Sequence, residues 1–220
     1  MSQPSPTWEE RAARAMERHD DGAARLPDDA DERQRQLTRM GNAAWAAGLS
    51  LLMAGREEDG RVWLVRAAER YRESWPNAPA GSWGRPIGAM KSRLIAGDRE
   101  GALEDAQWAL EARAAESESP IGRYAATLAY LVRGDDADAA ELATLEGRED
   151  FPQPVADTLV ALTADDARRY EEAIRALLAD FETRDEFLEE IAVADTVLAL
   201  QALAVRRGKT VLLSSPLLPS

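Results

Sequence analysis

Few of the 220 residues carry side chains suited to bond-making, and their spacing decides what they can do. His19 is the only histidine, and there is no cysteine. A two-histidine zinc site, a thiolate nucleophile and a disulfide framework are therefore excluded. Neither a Walker-type phosphate loop nor a G-x-G-x-x-G turn occurs. His19 falls on the face of the first helix expected to meet solvent, with no base or acid spaced to work with it.

Carboxylates occur in two runs. Asp28, Asp29, Asp31 and Glu32 have the oxygen ligands that Mg²⁺ or Ca²⁺ takes, as do Asp135, Asp136 and Asp138. The first run lies in a turn after Leu26 and Pro27, and the second opens a helix. Carboxylates at a helix start complement its dipole. Both runs read as solvated caps, and no catalytic, cofactor or metal residue is assigned. A metal-dependent helical enzyme would need three or more carboxylates facing one cavity.

One further group stands out. Trp75 and Trp83 flank the segment Pro-Asn-Ala-Pro-Ala-Gly-Ser, with Arg72 and Arg85 close by. Tryptophan and arginine together on a non-repetitive segment are what a protein-binding hot spot uses. The competing use is to clamp the loop onto neighbouring helices. Arg72, Trp75, Trp83 and Arg85 are the candidate partner-binding residues. Trp45, Trp63 and Trp108 fall within helices and are expected in the core.

The charge limits the partners. Forty acidic residues oppose 27 basic ones, a net charge of −13, and Lys91 and Lys209 are the only lysines. Phosphate binding needs a positive face, so nucleic acid is not an expected partner. Abundant acid, alanine and arginine with scarce lysine fit adaptation to high salt. They also fit an acidic face that docks a basic protein. The polar start, residues 1–10, has neither the basic end nor the apolar stretch of a secretory signal. No apolar run reaches the roughly 18 residues of a membrane span. A cytoplasmic location without membrane contact is expected.

The elements that position these residues read as helix pairs. Turns at Gly55, Gly97, Gly134 and Ala164 each join two apolar helical stretches. The first stretches are 37–53, 87–95, 121–132 and 155–162. The second are 57–75, 99–115, 136–145 and 166–181. Glycine reaches the left-handed conformation that closes a helix, and Asp98, Asp135 and Asp165 are placed to cap the next one. Short connections force antiparallel neighbours. The turns are 42, 37 and 30 residues apart (positions 55, 97, 134 and 164). That unevenness argues for a degenerate tetratricopeptide-like array rather than strict repeats of about 34 residues.

Apolar spacing by three and four picks out Val62, Val65 and Ala68 with Trp63, Ala67 and Tyr71 on the first pair. On the last pair it picks out Tyr170, Ala173, Ile174, Leu177, Leu178 and Phe181. Residues 8–25 form a leading amphipathic helix ended by Pro27. Residues 187–206 are predicted as a long apolar helix ended by Gly208. Residues 209–213 are extended, with room for one short strand, and pack back on the last helices. The expectation is one all-α domain over 1–220: a leading helix and turn (1–35), helical hairpins (36–182), and a C-terminal helix and tail (183–220).

The last third resembles the immunity protein 49 family of polymorphic toxin systems. The resemblance rests on the helix around Tyr170-Glu171-Glu172-Ala173-Ile174. It continues in the alanine-rich helix ending Arg206-Arg207-Gly208 and the apolar tail Val211-Leu212-Leu213 to Leu217-Leu218-Pro219. It implies an all-helical protein that neutralises a cognate toxin by binding it, with no catalytic residues and no cofactor. No individual binding residue is carried over. The alternative reading is a tetratricopeptide-like scaffold that holds an extended peptide in a groove lined by the first helices of the pairs. Neither reading calls for a polar constellation capable of bond-making.

Overall fold

The computed structural model describes residues 6–142 and 149–220, and every regular element among them is helical. α1 spans Trp8–Ala24, α2 Ala30–Met53, α3 Glu57–Glu73, α4 Gly84–Ala96 and α5 Arg99–Glu111. α6 spans Pro120–Arg133, α7 Asp136–Leu142, α8 Gln153–Thr163, α9 Ala167–Glu182 and α10 Asp195–Val205. The predicted pairs are α2/α3, α4/α5, α6/α7 and α8/α9. Residues 143–145 of the third pair, and 146–148 of the linker after it, lie outside the described residues. No helix among the described residues is long and apolar enough to cross a membrane.

Local chemistry sets the helix ends. At α1, Thr7 accepts from the Glu10 N–H and the Glu10 carboxylate accepts from the Thr7 N–H at 2.8 Å, a reciprocal capping box. Asp29 accepts from the N–H groups of Asp31 and Glu32, so the first acidic run is the cap of α2. Gly55, Gly97 and Gly134 close their helices with φ of 75°, 74° and 88°. Asp98 caps α5 through the Gly101 N–H, as expected. α9 is capped by Asp166 rather than Asp165, because the chain leaves α8 extended at Ala164 and turns one residue later. The Asp135 carboxylate accepts from Arg133 Nε.

Consecutive helices pack on one another, and small residues set the approach. Gly48 of α2 and Gly60 of α3 face each other. A Cβ on Gly48 would stand 2.7 Å from Leu64 Cγ, and one on Gly60 would stand 2.9 Å from the Gly48 carbonyl oxygen. The buried face of α3 is Trp63, Leu64, Ala67, Ala68 and Tyr71. Val62, placed on the stripe by spacing alone, is exposed. On α9 the stripe is buried at Tyr170, Ile174, Leu177, Leu178 and Phe181, with Ala173 at its edge partly buried. Trp45, Trp63 and Trp108 are in the core. His19 is also buried, edge-on to the Trp63 indole at 5.2 Å, so the expectation of an exposed histidine is corrected. The first helix lays His19 beside Ala12, Ala15 and Gly22 on the face that meets α2.

The largest departure is after α9. The apolar stretch 187–206 is not one helix. Residues 187–194 run as an extended strap containing one 3₁₀ turn, Leu188–Glu190, and only Asp195–Val205 is helical. Glu189 and Glu190 take left-handed conformations, φ 53° and 60°, which end any helix there. Ile191 and Val193 then alternate inward onto the α1–α3 core, and the Ala194 N–H donates to the Leu217 carbonyl. Arg18 of α1 holds Glu189, and Arg11 donates to the Glu190 carbonyl at 3.0 Å.

The strap therefore lies over α2, and α10 packs on α4, α8 and α9. From Lys209 the tail has no regular structure up to Ser215, turns there through the Leu218 N–H to Ser215 carbonyl bond, and pairs in no strand among the described residues. It docks through Gln201, which donates to the Val211 carbonyl, and through Lys209. The Lys209 ammonium is buried and donates to the carbonyls of Ala161, Leu162 and Ala164, the otherwise orphan end of α8. Arg207 pairs with Asp136 and donates to the Leu131 carbonyl, tying the tail to α6 and α7.

Candidate functional site

The four sequence-selected residues meet around the loop 74–83. Ser74 ends α3, Trp75–Asn77 forms a 3₁₀ turn, and Trp83 leads into α4. The helix opens at Gly84, three residues ahead of the expected start, and so takes in Arg85 and Pro86. Trp75 is half-buried between two other indoles, 5.8 Å from Trp83 and 5.4 Å from Trp108. Trp83 and Arg85 are buried. Arg72 remains at the surface over Trp108, with its guanidinium 2.9 Å from Asp105. Trp83 and Arg85 are thus placed as packing residues, and of the four only Arg72 and part of Trp75 reach the surface. The indoles clamp the loop, and the Arg72 side chain with the outer edge of Trp75 stays accessible.

Beneath the indoles runs an ion network. Asp105 of α5 has no exposed surface and receives both Arg72 and Arg93 Nε, the latter at 2.8 Å; Arg93 also holds Asp98. Burial pushes the Asp105 carboxyl up, more than the two guanidinium groups pull it down. Burial also works against the Arg93 charge, but Asp105 and Asp98 outweigh it and hold that guanidinium above its usual range. The network ties α3, α4 and α5 together and fixes the platform on which Trp75 sits.

On the other side of Arg85 lies a cleft of about 410 Å³ between α2, the start of α4 and the strap. Asn42, Tyr71, Arg85, Lys91 and Asp195 line it together with Trp45, Ile87 and Leu188. The Tyr71 ring is slotted between two glycines: a Cβ on Gly41 or Gly88 would stand 2.8 Å from it. Its hydroxyl donates to Asn42 Oδ1 at 2.9 Å. Burial, then the nearby Asp195 and Glu189, push the phenol up, so Tyr71 is a neutral donor. Lys91 is matched by Asp195 at 2.6 Å and donates to Thr196. Arg85 donates to the Ser74 carbonyl at 2.5 Å and to Gln34 Oε1.

This convergence of polar groups was not anticipated from sequence. The signal for it was the spacing of Gly84, Gly88 and Lys91, which places them on one face of α4. The other half of the wall comes from the strap, and nothing local foretells its path. Neither acidic run contributes to the cleft. Among the described residues no group of three or more histidines and carboxylates is arranged to hold a metal ion. The arrangement can bind and orient a polar ligand through fixed donors and one pair of opposite charges.

No family model, no curated protein and no solved structure matches the chain.

Proposed function

We propose that the chain is a tetratricopeptide-like helical array that acts as an immunity protein, neutralising a cognate toxin by direct contact in the cytoplasm. One observation supports this reading: Trp75 and Trp83 of the non-repetitive loop gather beside Trp108 of α5 and Arg72 of α3, with Arg72 and part of Trp75 at the surface over an ion-paired base. Rigid tryptophan and arginine anchors lose little entropy on binding and dominate interface energetics. The mechanism is occlusion. The acidic chain speeds encounter with a basic toxin face, and the Trp75 and Arg72 contacts slow its release.

A peptide-holding scaffold is the second reading, and one feature of the fold weighs against it. The first helices of the pairs would line its groove, and the strap and α10 already pack across α2, α4 and α8. Co-expression with a toxin encoded by the neighbouring gene tests the immunity reading. Growth should be restored by the native chain and impaired by Trp75→Ala and Arg72→Glu. Arrest that persists with the native chain present contradicts it.

A further inference from the structure

We propose that the cleft between α2, α4 and the strap binds a small organic carboxylate with an apolar or aromatic body. This site is separate from the Trp75 surface and does not depend on the proposed function. The starting point is charge. Arg85 is buried, its two hydrogen-bond partners are neutral oxygens, and no carboxylate of the described residues lies within ion-pair distance. A buried, unmatched charge is costly, and an arriving anion offsets that cost. Lys91 beside it has its own counter-ion in Asp195, so the cleft presents one unmatched positive charge. A single negative charge fits; a phosphate dianion would leave one charge uncompensated.

The remaining surface selects the body of the ligand. Trp45, Ile87 and Leu188 supply an apolar wall, and a cleft of about 410 Å³ is within the range that small-ligand sites occupy. The amide nitrogen of Asn42 is left to donate, since its oxygen is taken by Tyr71. Gly84 lines the cleft, and an added Cβ there meets nothing within 4 Å. Guanidinium groups recognise carboxylates through paired N–H donors, which makes arginine the suitable cation here.

Titration calorimetry of the full chain with phenylacetate, 4-methylpentanoate and indole-3-acetate, each against its neutral amide, tests the proposal. At least one acid should bind at millimolar concentration or below, at least about tenfold tighter than its amide. Arg85→Met should abolish that preference. Arg85 also braces Ser74, so Gly84→Leu is the second variant: its side chain enters open space at the cleft, and it should keep the native melting temperature while losing the acid. No acid binding better than its amide, or unchanged binding in Gly84→Leu, overturns the proposal. No toxin is present in this measurement, so its failure leaves the immunity reading standing, and the reverse holds too.

Discussion

Asp105 shows how much a single buried carboxylate can organise. It sits on α5 with no exposed surface, and two arginines from α3 and α4 converge on it. Removing it leaves the part-buried Arg93 with Asp98 alone and takes the partner from Arg72. Breaking a buried pair in this way costs far more than losing a surface pair. Asp105→Ala should lower unfolding stability by about 3–5 kcal/mol in urea denaturation. Glu172→Ala, which removes the exposed Arg168–Glu172 pair, should cost less than about 1 kcal/mol. Residue types alone did not mark Asp105 for burial, since it stands among Ala102, Ala106 and Ala109 as one acid in a helix rich in them. The indoles were more legible: Trp45, Trp63 and Trp108 fall on helical spacing and are core. The burial of His19 was not, because its face of α1 is defined by a partner helix rather than by its own sequence.

At the level of elements, helix ends carry much of the specification. Lys209 closes the end of α8 from a position 45 residues or more along the chain. Lys209→Met keeps the packing but leaves those carbonyls unpaired, and should cost about 2–3 kcal/mol by urea denaturation. The start of α1 makes a pH-dependent prediction. Backbone and side-chain hydrogen bonds from Thr7 hold the Glu10 carboxyl below its ordinary 4.5. A depressed folded-state pKa gives stability that is present above the ordinary value and is lost as pH falls through the folded one. Hydrogen exchange of the α1 amides should therefore accelerate, relative to α6 with its neutral Ser119 cap, as pH drops below about 4.5. Glu10→Gln should flatten that dependence. The turns at Gly55, Gly97 and Gly134 were readable because glycine chemistry is local, whereas the glycine-free turn at Ala164 set its cap one residue later than expected. The strap was not: an apolar run with alternating β-branched residues suits a buried helix or a buried extended segment equally. The left-handed Glu189 and Glu190 are held by Arg11 and Arg18, about 170 residues away in the chain.

Across the whole molecule, the strap and α10 bring helices distant in sequence together: the strap packs on α2, and α10 on α4, α8 and α9. They join the α1–α3 core to the core built from α4 onward. The same segment walls the Arg85 cleft and packs across the first helices of the pairs. A net charge of −13 repels itself, and salt relieves that repulsion. The melting temperature should rise between about 0.01 M and 1 M KCl, as the screening length falls from roughly 30 Å to 3 Å. Stability resting on the exposed arginine–glutamate pairs would give a fall instead. Binding of a toxin at the Trp75–Arg72 surface, as proposed, can be measured by equilibrium binding of the purified chain to any toxin domain whose gene is found next to its own. The native chain should form a stoichiometric complex that Arg72→Glu weakens by more than about tenfold. Absence of a complex with the native chain, or equal affinity of the Arg72→Glu variant, would contradict it.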